Sequence, residues 1–144
     1  MIDRGTGALA LIGGRLEPGL TRRRLLSSPL GREAARVDMG NGWMTVGLGT
    51  HQLGGRAFLV SASFEGQRLD GYTLCDADPR LDAEWDEKTE RARRAAHDKW
   101  LEAALGAGGE RKPELTYALP WGEAWSSYDP RGGGTTIGVR FRRG

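Results

Sequence analysis

The run Phe58-Leu59-Val60-Ser61-Ala62-Ser63-Phe64 constrains this chain more than any other segment. Phe58, Val60, Ala62 and Phe64 alternate with Leu59, Ser61 and Ser63, the period of a strand with one buried face. Glu65-Gly66-Gln67 turns the chain, and Arg68 to Leu74 returns as a second strand whose alternation slips near Gly71, the mark of a bulge. A hairpin with one apolar face needs a second layer to bury it. A long helix supplies one: Asp82 or a neighbour caps it, and Ala83 to Leu105 places Trp85, Ala92, Ala96, Trp100 and Ala104 on one stripe, with Leu101 and Leu105 beside it. Glu87–Arg91, Glu90–Arg94 and Arg94–Asp98 are four apart and predict an exposed face of ion pairs. Gly106 to Gly109 stops the helix.

The remaining elements follow from local signals. Ala8 to Ile12 predicts a short strand ended by Gly13-Gly14, and residues 1–7 read as loose. Thr21 caps a short helix over Arg22 to Ser27 with Leu25 and Leu26 inward, and Ser28-Pro29 ends it. Val37 to Met39 and Trp43 to Leu48 flank Gly40-Asn41-Gly42, a hairpin signal because these residues tolerate positive φ. Gly49 to Gly55 reads as a flexible loop. Leu115, Tyr117 and Leu119 alternate in a strand. A last hairpin joins Ala124–Tyr128 to Thr135–Phe141, with Ile137, Val139 and Phe141 inward. The expectation is an α+β domain over 1–144: an antiparallel sheet of about six to seven strands on one long helix, with a short N-terminal helix.

At 144 residues, 38% hydrophobic and 28% charged, the chain suits one core and is not of disordered composition. No apolar run approaches the roughly 20 residues of a membrane-spanning helix. Ala8 to Ile12 is too short for a signal-peptide core, so the expected location is the cytoplasm. A single cysteine, Cys75, excludes an internal disulfide and a cysteine-based zinc site.

Chemistry is hard to assemble from these residues. Asp76, Asp78 and Glu87 match a calcium loop, but Arg80 and Leu81 stand where it needs an oxygen ligand and a turning glycine. His51 and His97 share no metal-ligand spacing, with each other or with Cys75. Cys75 ends an apolar strand and reads as a buried thiol. The glycines of Gly47-Leu48-Gly49 and Gly132-Gly133-Gly134 read as turn glycines, without the lysine and helix of a phosphate loop. No catalytic residue, metal or cofactor is expected.

Charge and aromatics are more informative. The net charge of +2 is segregated. Arg22, Arg23, Arg24, Arg32 and Arg36 against Glu33 make 22–36 basic, and Arg131, Arg140, Arg142 and Arg143 make the C-terminal region basic. Asp76, Asp78, Asp82, Glu84, Asp86 and Glu87 against Arg80 make 76–87 acidic. Such poles steer a charged partner, although solvated faces also look like this. Pro120-Trp121-Gly122-Glu123-Ala124-Trp125-Ser126-Ser127-Tyr128-Asp129-Pro130-Arg131 places three aromatics, two acids and an arginine on one hairpin. Trp, Tyr and Arg dominate binding hot spots, so Trp121, Glu123, Trp125, Tyr128, Asp129 and Arg131 form the candidate partner surface, with the acidic 76–87 stretch as a second contact. The competing reading makes both tryptophans core residues. Arginines beside aromatics also suit single-stranded nucleic acid, against which the acidic stretch weighs. A third possibility is a small ligand or substrate in a cleft near His97.

The stretch from Glu17-Pro18-Gly19-Leu20-Thr21 to Leu26, followed by a strand meander, resembles a unit of the beta-lactamase-inhibitor-like and BamE-like folds. Trp85-Asp86-Glu87-Lys88, His97-Asp98-Lys99-Trp100-Leu101, Pro120-Trp121-Gly122 and Tyr128-Asp129-Pro130-Arg131-Gly132-Gly133 look like a group of small single-domain bacterial proteins similar to immunity proteins of polymorphic toxins. That resemblance implies a non-catalytic binding role, with a cognate bacterial toxin as partner, and carries no catalytic residue.

Overall fold

In the computed structural model, β5 (Arg56–Glu65) and β6 (Arg68–Asp76) form the central hairpin, and Phe58, Val60, Ala62 and Phe64 are almost fully buried. The structure describes residues 1–77, 87–111, 114–129 and 134–143. Ser63 pairs with Gly71 and Phe64 with Leu69, so Asp70 is the extra residue of a bulge. Beside it, a Cβ on Gly71 would lie 2.0 Å from the Val139 carbonyl oxygen, and only glycine lets the neighbouring strand approach so closely.

Around this hairpin the sheet grows in both directions. On one side lie β4 (Trp43–Leu53) and β3 (Ala35–Gly40). On the other lie β10 (Gly134–Phe141), β9 (Gly122–Asp129), β8 (Leu115–Leu119) and the two-residue β7 (Glu110–Arg111). The order is β3-β4-β5-β6-β10-β9-β8-β7, and every neighbouring pair is antiparallel. A separate hairpin joins β1 (Leu9–Leu11) to β2 (Gly14–Leu16).

The chain is therefore mostly β, with an eight-stranded sheet, which corrects the expected α+β sheet of six to seven strands. One reason is local: Gly49 to Gly55 is not a loop. The pairing of β4 with β5 shifts register between Gly47 and Thr50, then resumes from Thr50–Leu59 to Leu53–Arg56. Gly49, at φ +77°, sits in that irregularity, and only Gly54-Gly55 turns the chain. A glycine inside a strand marks a bulge as readily as a loop. The other unforeseen strands, β2 and β7, are too short for alternation to reveal.

The short helix α1 (Arg22–Ser27) forms as expected: Thr21 Oγ1 accepts from the Arg24 N–H at 3.2 Å, and Leu25 enters the core. The N–H groups of Arg22 and Arg23 donate to the backbone and side-chain oxygens of Gln67, fastening α1 to the β5–β6 turn. The N-terminus is also engaged, since Ile2 bridges to Leu9 and is buried.

The long helix α2 is described over Glu87–Leu105, and Trp85 lies outside the described residues. Its buried residues are Glu90, His97, Asp98, Trp100, Leu101 and Leu105, whereas Ala92, placed on the apolar stripe from sequence, is exposed. The buried face is thus partly polar. Glu90 is not part of an exposed ladder; it pairs with Arg93 and accepts from Thr135 Oγ1 at 2.6 Å. No helix among the described residues is long and apolar enough to cross a membrane.

Candidate functional site

Strand alternation decides what each face offers. On β10, Thr135, Ile137, Val139 and Phe141 point to the helix side and are buried, as are Tyr72 and Leu74 on β6 and Ala124 and Ser126 on β9. Leu9 and Leu16 of the small hairpin, Leu25 of α1 and Leu101 of α2 all join this one core. The opposite face carries Thr45, Ser61, Ser63, Thr73 and Thr136, half-buried side chains of small polar residues, together with Leu59, which is 48% exposed. Glu123 and Trp125 belong to this outer face. Trp125 is paired across from Gly138, where a Cβ would lie 2.3 Å from Trp125 Cζ2, so the indole lies flat on the glycine backbone. Beside it, Ala118, Glu123 and Arg140 line up across β8, β9 and β10 and border a shallow hollow of about 350 Å³ with Arg142 and Arg143.

The other members of the aromatic hairpin are placed differently. Trp121 donates from Nε1 to the Arg4 carbonyl at 2.8 Å, stacks edge-on against Phe141 at 6.1 Å, and lies where a side chain on Gly7 would be. It clamps the N-terminal segment to the sheet. Tyr128 is half-buried on the helix side, and its N–H donates to Glu114 Oε1 at 3.3 Å. Asp129 ends β9. Arg131, like Asp78, Asp82, Glu84 and Asp86, lies outside the described residues, and Glu87 is described only as the start of α2.

Asp76, read from sequence as part of an acidic surface, turns inward, with its side chain only 4% exposed. Arg56 Nη2 lies 2.5 Å from its Oδ2, His97 Nε2 3.3 Å and Arg93 Nε 3.9 Å. Arg93 also pairs with Glu90. Among the described residues two guanidiniums and two carboxylates meet here, and sequence spacing did not foretell the meeting of β5, β6 and α2 that assembles them. His97 is fully buried and its Nδ1 has no hydrogen-bond partner among the described residues. Burial pushes the imidazole below its usual pKa, with Arg56 and Arg93 acting the same way and Asp76 opposing.

This cluster is poorly arranged for chemistry. Cys75 points to the outer face with its Sγ 3.7 Å from Thr136 Oγ1, so the sheet separates it from His97. His51 Nε2 bonds to the Leu48 carbonyl. No group of histidine, cysteine and carboxylate among the described residues could hold a metal. Four hollows lined by described residues all lie away from His97.

The structure also brings two basic segments together. Arg22 and Arg23 abut Gln67 at the β5–β6 turn, where Arg143 pairs with Glu65 at 3.0 Å and Arg68 donates to the Phe141 carbonyl. The other end of β6 carries Asp76, where the acidic stretch begins, roughly 25–30 Å away at strand rise.

No family model and no curated protein matches this chain. Among solved structures, one chain of a complex described as Rhs1-CT with its cognate immunity protein RhsI1 has a similar fold. The TM-score is 0.55 and the identity 16%, and the match covers 98% of this chain and 86% of that one.

Proposed function

We propose that this chain is a non-catalytic protein inhibitor of the immunity type, which neutralises a bacterial toxin by direct binding. The observation that carries the reading is the fold likeness, over nearly the whole chain, to a chain from a complex with an immunity protein. The disposition of the side chains supports it. The outer sheet face carries small hydroxyl residues and two large aromatics, Trp43 on β4 and Trp125 on β9, the latter beside the cross-strand pair Glu123 and Arg140. An indole beside a charged pair and hydroxyl side chains suits a protein hot spot, where an aromatic anchor is desolvated inside a polar rim.

On this reading the contact surface centres on Trp125 and Glu123 and takes in Asp129 at the end of β9 and Arg131, while Tyr128, on the helix side, supports that end of the strand from the opposite face. Asp78, Asp82, Glu84, Asp86 and Glu87 make the second, acidic contact, which suits a toxin with a basic cleft. Asp76 is withdrawn from that contact because its carboxylate serves Arg56 and His97. Trp121 supports the surface from behind.

The test is affinity capture with the tagged chain from its own bacterium, under low- and high-salt washes. The expected result is one stoichiometric protein that is toxic when expressed alone. Recovery of no stoichiometric protein would overturn the proposal.

A further inference from the structure

We infer that β3 is a self-association edge, pairing antiparallel with β3 of a second copy of this chain. The sheet has two edges, and they differ. β7 has only two residues, whereas β3 has six, all exposed, and pairs only with β4 among the described strands. Edge strands are usually guarded against unwanted pairing by charged side chains, lysine above all, by a proline or by a bulge, and the charges of β3, Arg36 and Asp38, are of opposite sign. Ala35-Arg36-Val37-Asp38-Met39-Gly40 has no lysine and no proline, and its one irregularity lies at the far end, between Asp38 and Gly40.

The charge pattern selects the occupant and the register. Arg36 pairs with Val46 and Asp38 with Met44, so both side chains stand on one face of the strand, while Val37, opposite Thr45, stands on the other. None of the ion pairs among the described residues involves Arg36 or Asp38. Asp38 Oδ1 accepts from the Gly40 N–H at 2.9 Å, which leaves Oδ2 for another donor. A two-fold axis at Val37 sets Arg36 of each copy opposite Asp38 of the other, giving two cross-strand ion pairs. It also sets Val37 against Val37, a side chain 53% exposed in the single chain, with Met39, 63% exposed, next to the paired segment at the irregularity. Centring the pairing on Arg36 or Asp38, or running the strands parallel in register, opposes like charges and is disfavoured. The self-complementary register therefore needs a second copy. It joins two eight-stranded sheets along a short seam, smaller than a standard interface, so the dimer is weak and concentration-dependent.

Sedimentation of the full chain between about 5 μM and about 1 mM tests this, since a dimer dissociating in the micromolar range populates within it. The wild type is expected to shift toward twice 15.7 kDa as concentration rises. Arg36→Glu and Val37→Lys alter exposed side chains and are expected to keep the fold, and each should weaken dimerisation at least about tenfold by opposing like charges. An equimolar mixture of Arg36→Glu and Asp38→Lys should regain the dimer, because each copy then meets opposite charges. A wild type that stays monomeric throughout would overturn the inference. So would a dimer that neither Arg36→Glu nor Val37→Lys disturbs. Should Asp38→Lys lose its turn and fail to fold, those two variants decide alone.

Discussion

Trp121 and Trp125 are four residues apart, yet their surroundings give them opposite parts. Trp121 has a backbone acceptor, an aromatic neighbour and a glycine to lie on, all within the chain. Trp125 covers Gly138 on the outer face and is half-buried. Trp125→Ala should therefore weaken binding of the captured partner by at least about 2 kcal/mol, as hot-spot truncations do, with little change in thermal midpoint. Isothermal titration against that partner measures the first and a melting curve the second. An unchanged affinity would remove Trp125 from the contact surface. His97 makes a different prediction. Its depressed pKa means that the unfolded chain takes up a proton near the ordinary value of about 6.5, while the folded chain resists until lower pH. The contribution of neutral His97 is intact above that value and is lost as pH falls below it. Urea midpoints should drop between pH 7 and pH 5 more steeply for the wild type than for His97→Gln. Parallel pH profiles would contradict this assignment.

At the scale of elements, alternation and turn chemistry made much of the sheet legible. The Phe58–Phe64 strand, the bulge beside Gly71, the Asn41-Gly42 hairpin and the Thr21-capped helix follow from residues that act on their immediate neighbours. Glycine misled where its part was to bend a strand rather than end it, as at Gly49. The face of α2 was half legible: Trp100, Leu101 and Leu105 are buried as their spacing predicts, but Ala92 is exposed. The helix also buries Glu90 and His97, whose partners come from distant strands. Such burial depends on what sits opposite, and no single segment announces it. The Asp70 bulge has its own consequence. Gly71→Ala would drive a methyl against the Val139 carbonyl at the end of the β6–β10 ladder, next to the bulge. It should cost more than about 2 kcal/mol in chemical denaturation, because backbone rather than a flexible side chain must give way. A cost within about 0.5 kcal/mol would show that the strands can separate there without penalty.

For the whole molecule, the charge poles visible in the sequence acquire direction. Arg22 and Arg23 come together with Arg143 at the β5–β6 turn, and the acidic stretch starts at the far end of β6. The candidate site was legible as a composition of aromatics and charges on one hairpin. Which of them face outward depended on the pairing of β9 with β10 and on the N-terminal segment beneath Trp121. On the proposed function, the outer face of the sheet is the binding face and the buried histidine has a structural part. Growth of cells expressing the captured partner, with and without this chain, tests that account most directly. Co-expression of the wild type should restore growth, and Trp125→Ala should restore it less at equal protein level. Continued growth arrest in the presence of folded, abundant wild-type chain would contradict the account.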